Sequence, residues 1–304
     1  MKEFGNYQYI GGEMSKRDKQ EEGSKFWNKG KWDNFVLPFL PKSCKEMTLV
    51  DMGCNAGLFL KLAEDKGFSK VIGVDANREA FGKALAYREK NGGKYDIQRR
   101  YMERSIDYLP VSDFTILANS HYYLLVEPWL RYLDELQVKT RYCIIVTAQK
   151  NRVLCKASAA PDDIRSYFKN WDEVKTIEVS SKDDPFPRQL WGLCFKSRFI
   201  DRIKIDTLDN GNRQQRGFFR DLDKGISPIK TEYYRRLKKY RRKSWPVDRL
   251  IKYMHKRVEL YKSVKKNGLL KPIIVGHENR IVDGNHRCAI MKHLGYKTIF
   301  VRKV

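Results

Sequence analysis

No pair of cysteines in this chain has metal-ligand spacing, no apolar run is long enough to cross a bilayer, and no segment repeats. The six cysteines, Cys44, Cys54, Cys143, Cys155, Cys194 and Cys288, include no CxxC and no Cys/His finger. Several lie in apolar runs, where a reduced thiol behaves as a small hydrophobe. That pattern argues against structural zinc or a disulfide framework and sets the expectation of a reduced, cytoplasmic protein with no metal ligands. A membrane-spanning helix needs roughly 18–20 consecutive apolar residues, and none is present. Met1 to Lys31 is polar and charged, unlike a secretory leader. Carboxylates are scarce as well: 37 Asp+Glu face 61 Lys+Arg, for a formal net charge of +24. The shortage is local. Residues 1–195 hold 31 basic and 27 acidic residues, whereas residues 196–304 hold 30 and 10. A surplus of 20 positive charges in the last third points to a second domain with its own anionic partner.

What is present suffices for folded cores. Apolar residues make up 41% of 304 and aromatics 12%, enough for one large or two ordinary domains. From Thr48 the chain alternates strand and helix: strands at Thr48–Met52, Lys70–Val74, Phe114–Ala118 and Tyr142–Thr147. Helices are expected at Leu58–Lys66, Arg78–Lys90, near Trp129–Leu136 and at Asp162–Lys169. Val174–Val179 and Leu190–Lys196 read as a hairpin around Asp183–Pro187. This predicts an α/β domain with a mainly parallel sheet and one antiparallel edge. The aromatic segment Gly23–Trp32 reads as a helix packed on the core. A boundary is expected near 197–212, which divides the chain into residues 1–200 and 201–304. Beyond it come a strand-like start at Phe199–Leu208, a polar stretch Asp209–Arg216, and helices at Thr231–Lys243 and Asp248–Lys266. Strands at Lys271–Val275 and Arg280–Val282, a helix from Cys288 to Leu294 and a last strand Thr298–Arg302 complete a smaller α+β domain.

Two segments carry chemistry. The first, Asp51-x-Gly53-x-Asn55-x-Gly57, lies between a strand and a helix, where glycines let the backbone approach a ligand closely. Asp75 follows 24 residues after Asp51, at the end of the next strand, a spacing that suits a carboxylate for two ribose hydroxyls. This segment resembles the class I S-adenosylmethionine-dependent methyltransferases over roughly residues 20–196, with Asn55 where many members carry glycine. The resemblance implies a Rossmann-like fold and S-adenosylmethionine as cofactor. Gly53 and Gly57 would then pass close to its methionine portion, Asp51 would position it and Asp75 would hold the ribose. A nicotinamide-type Rossmann protein normally has three glycines in G-x-G-x-x-G, and this turn supplies two. The fourth strand ends at Asn119-Ser120-His121-Tyr122-Tyr123. His121 is the candidate general base toward a hydroxyl, since an ordinary imidazole titrates near pH 6.5; a hydrogen-bonded strand-end histidine is the alternative. Tyr122 and Tyr123 are candidate pocket walls. The proline box of amino-methylating DNA enzymes and a Pro-Cys pair for cytosine are both missing.

The second segment, Asp283-Gly284-Asn285-His286-Arg287, joins a strand to a helix, where free backbone N–H groups and the helix dipole favour phosphate or carboxylate. Together with Gly268–Val275 and Leu294-Gly295 it resembles the ParB/sulfiredoxin superfamily, firmly over 248–304. Asn285 stands where sulfiredoxins carry cysteine, and no helix-turn-helix follows. The D-G-x-H-R form looks most like the free serine kinases of that superfamily. That resemblance implies that Gly284, Asn285, His286 and Arg287 bind nucleotide phosphates and that Asp283 lies at the reacting centre. It also implies an upstream carboxylate, for which Glu232 is best placed, and ATP or ADP with Mg2+ as cofactor. A structural Asp-Gly turn with Arg287 in an ion pair, and a solvated Glu232, are the alternatives. The run Tyr233–Lys243 interleaves bases and aromatics, as a solvated helix face or a nucleic-acid grip would.

The leading expectation is a bifunctional enzyme. It would transfer methyl to a hydroxyl and use a nucleotide to phosphorylate a hydroxyl of a small molecule or glycan. A nucleic-acid methyltransferase with a basic C-terminal grip, and a methyltransferase with a non-catalytic nucleotide-sensing module, stand as alternatives.

Overall fold

The computed structural model describes residues 28–121, 126–148, 160–181, 188–208, 213–241 and 244–304. The chain divides into two compact units. The first holds residues up to Tyr108 and Ser112–Arg198; the second holds Leu109–Val111 and Phe199–Val304.

Unit 1 begins with helix α1 (Asn28–Phe35) and then alternates β1 (Thr48–Met52), α2 (Leu58–Asp65), β2 (Lys70–Asp75), α3 (Arg78–Lys90), β3 (Asp96–Arg99), β4 (Ser112–Ala118), α4 (Val126–Leu136), β5 (Thr140–Ala148), α5 (Pro161–Tyr167), β6 (Trp171–Ser181) and β7 (Arg188–Ser197). The sheet order is β3-β2-β1-β4-β5-β7-β6. All neighbours from β3 to β5 are parallel, and β7 lies antiparallel between β5 and β6. This is the Rossmann-like, mostly parallel sheet with an antiparallel edge hairpin that the sequence predicts. Consecutive residues Leu49, Val50, Asp51 and Met52 are all buried, as expected of a parallel strand covered on both faces. Asn77 starts α3 by accepting from Glu79 N and Ala80 N at 2.8 and 3.0 Å, a side-chain cap for two otherwise unsatisfied donors. β3 is a strand that the pattern reading lacked. Its sequence, Asp-Ile-Gln-Arg, is polar because only Ile97 is buried.

Unit 2 contains β8 (Ile200–Lys204), α6 (Arg213–Asp223), α7 (Glu232–Arg241), α8 (Val247–Asn267), β9 (Ile273–Val275), β10 (Ile281–Asp283), α9 (Asn285–His293) and β11 (Thr298–Lys303). The order is β10-β9-β11-β8, with β9/β11 parallel and the outer pairs antiparallel. Its core gathers Phe218 and Phe219 of α6, Leu250 and Met254 of α8, Ile273, Ile290 and Val301. Helix α6 corrects the expectation of a polar connector up to Arg216. The polar residues open the helix, and its inward face is the pair Phe218–Phe219, each about 1% exposed. Helix α9 begins at Asn285, three residues earlier than expected, so the box forms its first turn. Residues 23–27, Tyr122, Tyr123, Cys155, 183–187, 209–212 and 242–243, which figured in the sequence reading, lie outside the described residues. Among the described residues no helix is long and apolar enough to cross a membrane, and no cluster of His, Cys, Asp and Glu is arranged to hold a metal.

Candidate functional site

In unit 1 the β1–α2 turn and the end of β2 form one structure. Gly53 N and Cys54 N both donate to Val74 O, at 2.7 and 3.1 Å. Asn55 N donates to Asp75 Oδ2 at 2.9 Å, and Asn77 N donates to Asp75 Oδ1 at 2.8 Å. Asp75 therefore ties the turn after β1 to the turn after β2, and each oxygen keeps a second lone pair. Gly53 has φ +79°, and a Cβ there would lie 2.4 Å from Ser120 Cβ. Gly57 has φ +86° and caps α2 without a side-chain bond. Asn55 takes φ +49°, a left-handed conformation that asparagine tolerates better than most residues.

The electrostatics are unusual. Asp51 is 2% exposed, and its Oδ2 has no hydrogen-bond partner among the described residues. Burial, with the Asp75 charge second, pushes its carboxyl up to about 8. Burial also raises Asp75, against the two N–H bonds that lower it. Ser120 Oγ, beside Gly53, is a second buried atom without a hydrogen-bond partner among the described residues. Orphaned acceptors next to a stressed carboxylate pair suit a cationic, hydrogen-bonding ligand. A ligand carrying a sulfonium, an ammonium and a ribose diol meets that requirement.

His121 is fully buried at the end of the segment after β4, with Nε2 3.5 Å from Thr147 Oγ1 and its ring 5.8 Å from Trp129. Burial lowers its pKa to about 3. The imidazole is neutral at pH 7, and its basicity is far below the value that motivated a general-base role. The dry surroundings, not visible in the motif, make the difference.

In unit 2, Gly284 has φ +99° and caps α9 with no side-chain bond. A Cβ there would lie 2.8 Å from Ile273 Cδ1 and 3.1 Å from Arg287 Nη2. The first intrahelical bond is Cys288 N to Gly284 O. The N–H groups of Asn285, His286 and Arg287 thus have no acceptor within the helix. The side chains are committed differently from the sequence expectation. Arg287 Nη1 donates to Lys271 O and Pro272 O at 2.9 and 3.0 Å, and Nη2 donates to Asp283 Oδ2 at 2.6 Å. With 14% of its side chain exposed, Arg287 is turned into the unit and pins the entry to β9. His286 Nδ1 lies 2.7 Å from Gln215 Oε1, and Nε2 lies 3.4 Å from Tyr253 Oη. Since a carbonyl oxygen only accepts, the proton is on Nδ1. Burial, then the Arg257 charge, lowers His286 to about 4. Glu232 is exposed at the start of α7 and pairs with Arg236 at 3.0 Å and Arg235 at 3.4 Å. No described contact joins it to Asp283.

Sequence reasoning missed Gln215, Tyr253 and Arg257. The Arg257 guanidinium lies 4.5 Å over the Tyr253 ring, and its Nε is buried without a hydrogen-bond partner among the described residues. Arg249, Tyr253 and Arg257 recur every four residues along α8, with Trp245 four residues before Arg249 just ahead of the helix, a spacing that was readable in the sequence. Gln215 carried no such signal.

Several solved structures resemble the chain. Magnesium protoporphyrin IX methyltransferase from Synechocystis PCC 6803, solved with bound S-adenosylhomocysteine, is 16% identical over 60% of this chain and 89% of its own, with TM-score 0.47. N-methyltransferase NodS from Bradyrhizobium japonicum WM9, in complex with S-adenosylhomocysteine, is 15% identical over 51% of this chain and 79% of its own, with TM-score 0.43. The bifunctional kinase-methyltransferase WbdD is 18% identical over 70% of this chain and 50% of its own, with TM-score 0.44. No curated protein sequence matches the chain. The model of the methyltransferase domain family matches residues 26–178, just over half of the 304, and the chain belongs to that family.

Proposed function

We propose that unit 1, the core of residues 1–200, binds S-adenosylmethionine and transfers its methyl group. The observation that carries this reading is the buried Asp51 carboxyl, whose Oδ2 has no hydrogen-bond partner among the described residues, beside Asp75 at the carboxyl ends of β1 and β2. Asp75 holds the ribose diol with its remaining lone pairs, Asp51 faces the cationic portion, and the Gly53–Gly57 backbone lets the cofactor approach. The cofactor, when bound, supplies a methyl group on a sulfonium that leaves as a neutral thioether. The protein's task is then alignment and water exclusion. His121, neutral and dry, helps to shape the site as a packed wall and is not assigned a proton. The test is calorimetric titration of S-adenosylhomocysteine into the wild type and Asp75→Ala. Saturable binding lost in the variant is expected; equal affinity in both would refute the site.

A second reading concerns unit 2, within residues 201–304, which we take as a ParB/sulfiredoxin-like domain that binds nucleotide phosphates. It is favoured by the three N–H groups at the start of α9 and the buried Arg257 Nε. The anion is held by backbone donors and Arg257, and Arg287 fixes the turn from behind. Phosphoryl transfer to a hydroxyl of a small molecule or glycan is the finer form of this reading, with Asp283 and Glu232 as its acidic residues. In the present geometry both are held by arginines, so it requires them to be released. Titrating ATP, ADP and CTP with Mg2+ into the wild type and Arg257→Gln checks it. Binding weakened in the variant is expected, and no binding by the wild type would retire it.

A further inference from the structure

Apart from Arg257 and Arg287, the +20 charge of the last third is not used by either proposed site. Most of it is displayed on α7, α8 and the corner that joins them. Lys238, Lys239, Arg241, Arg249, Lys252 and Lys256 are exposed, and among the described residues none has a carboxylate within ion-pair distance. The acids nearby are few. Glu232 is taken by Arg235 and Arg236, Glu259 by Lys262, and Asp248 alone faces solvent at the start of α8. Six such cations repel one another, and ordinary surfaces intersperse the signs.

Aromatic faces lie among these cations. Tyr240, on α7, is 79% exposed. One turn further, the Arg241 and Arg249 guanidinium groups lie 5.2 and 4.9 Å over the Trp245 ring. Trp245 meets Tyr253 edge-on at 5.3 Å. Trp245 N and Ser244 N both donate to Arg241 O, at 2.9 Å each, which ties the backbone of Trp245 to the end of α7. An exposed tyrosine in contact with solvent on most of its surface contributes nothing to the fold that a lysine would not. Beside stacked guanidinium planes and lysines that have no carboxylate partner among the described residues, it makes a stacking platform with phosphate donors on either side. Double-stranded nucleic acid offers phosphates but hides its base faces; single strands offer both.

We infer that the α7–α8 corner of unit 2 is a binding surface for single-stranded nucleic acid. Lys238, Lys239, Arg241, Arg249, Lys252 and Lys256 contact phosphates, and Tyr240 stacks on a base. This surface adjoins the start of α9 through Trp245 and Tyr253, the latter 3.4 Å from His286, and does not depend on the methyltransferase reading. An anionic membrane is the competing partner, since Val247 and Ile229 are also about half exposed, at 51% and 42%.

The experiment is fluorescence anisotropy of labelled, mixed-sequence 20-nucleotide RNA and DNA with the full chain, from 50 to 200 mM KCl. Six phosphate contacts to a single strand predict a log–log salt slope of about −4, a loss of roughly 300-fold over that range. Lys238→Glu with Lys239→Glu should weaken binding by more than tenfold, and Tyr240→Ala by roughly tenfold. Since all three side chains are exposed, both variants should melt with the wild type. The inference is overturned by an absence of binding at 50 mM KCl, or by binding that these variants leave unchanged. Sedimentation with phosphatidylserine vesicles in the absence of oligonucleotide binding would overturn it in favour of a membrane. Duplex bound as tightly as single strand, with no effect of Tyr240→Ala, would overturn the stacking role.

Discussion

Replacing Arg287 separates two accounts of the Asp-Gly box. If its guanidinium holds a ligand, Arg287→Ala leaves the free protein as it was. The structure assigns it to Lys271 O, Pro272 O and Asp283, so the variant should loosen β9 and β10 with no ligand present. Hydrogen bonds to a charged group contribute roughly 1.5–3 kcal/mol each. The Asp283 carboxylate is 65% exposed and solvent screens most of that pairing. The two carbonyl contacts remain, from one nitrogen, worth about 3 kcal/mol together. Every 1.4 kcal/mol is tenfold in an equilibrium, so the opening of this hairpin should become roughly a hundredfold more frequent. Hydrogen–deuterium exchange with mass spectrometry reads this directly. Peptides covering Ile273–Val275 and Ile281–Asp283 should exchange about a hundredfold faster. Those covering Thr48–Met52 and Lys70–Asp75 in unit 1 serve as unchanged controls. Arg287→Lys should recover part of the protection, since one ammonium can reach the carbonyls but cannot also form the planar fork to Asp283. Unchanged exchange in β9 and β10 of Arg287→Ala would refute the clamp and return the guanidinium to a ligand.

Other consequences follow from single residues. With its carboxyl at about 8, Asp51 keeps its proton in the folded state while the unfolded chain has lost it above about pH 4. The folded state therefore binds more protons, and stability falls as pH rises between 6.5 and 8, by at most about 1.4 kcal/mol per unit. Buried His121 and His286 act oppositely, but only below about pH 6.5, so denaturant melts above it should show a decline that Asp51→Asn abolishes. Binding a cation beside Asp51 should release its proton at pH 7, seen as a binding heat for S-adenosylmethionine that differs between phosphate and Tris; identical heats would count against that placement. Asp223 is held down to about 2 by hydrogen bonds from Tyr261, then His293, with Lys265 adding to them. Its contribution is present above about pH 4 and lost as pH falls toward 2. Asp223→Asn should flatten that acid limb, measured by urea melts at pH 4 and 2. Gly53→Ala should cost about 2–3 kcal/mol through its φ and the Ser120 contact, and adding Ser120→Gly should restore part of the loss in the same melts.

The sheet of unit 1 was readable because each central strand is a short buried run followed by a glycine or asparagine signal. Arg78–Lys90 was placed to the residue, since Asn77 is a strong cap and Lys90-Asn91 ends the periodicity. β3 was not readable. A four-residue edge strand with one buried side chain leaves no alternation to detect, and its place is set by pairing with β2. Helix α6 failed for the opposite reason. Its first residues are Arg, Gln, Gln and Arg, and the helix is held by Phe218 against Tyr233 of α7 and Phe219 against Tyr261 of α8 and His293 of α9, which propensity does not record.

The candidate sites were legible as backbone and not as side-chain commitments. Glycine with positive φ and a crowded Cβ position leaves a trace in sequence because few other residues fit, so Gly53, Gly57 and Gly284 mark real turns. A charged side chain leaves no trace of which partner it chooses. Arg287 reads equally well as a phosphate ligand or a clamp until its distance to Lys271 O is known. One clue was available: Asp283 and Arg287 are four apart across a helix start, the spacing at which opposite charges meet. The same lesson bears on His121. A histidine after β4 suggests a base only if water reaches it; with the ring sealed against Trp129, its proton affinity falls below use at neutral pH. The acceptor's proton must then leave by another group or, with an acceptor already neutral and nucleophilic such as an amine, after transfer. In that case the rate above the acceptor's own pKa should show no inflection belonging to the protein. An inflection near pH 6.5 that disappears in His121→Gln would restore the imidazole as the base.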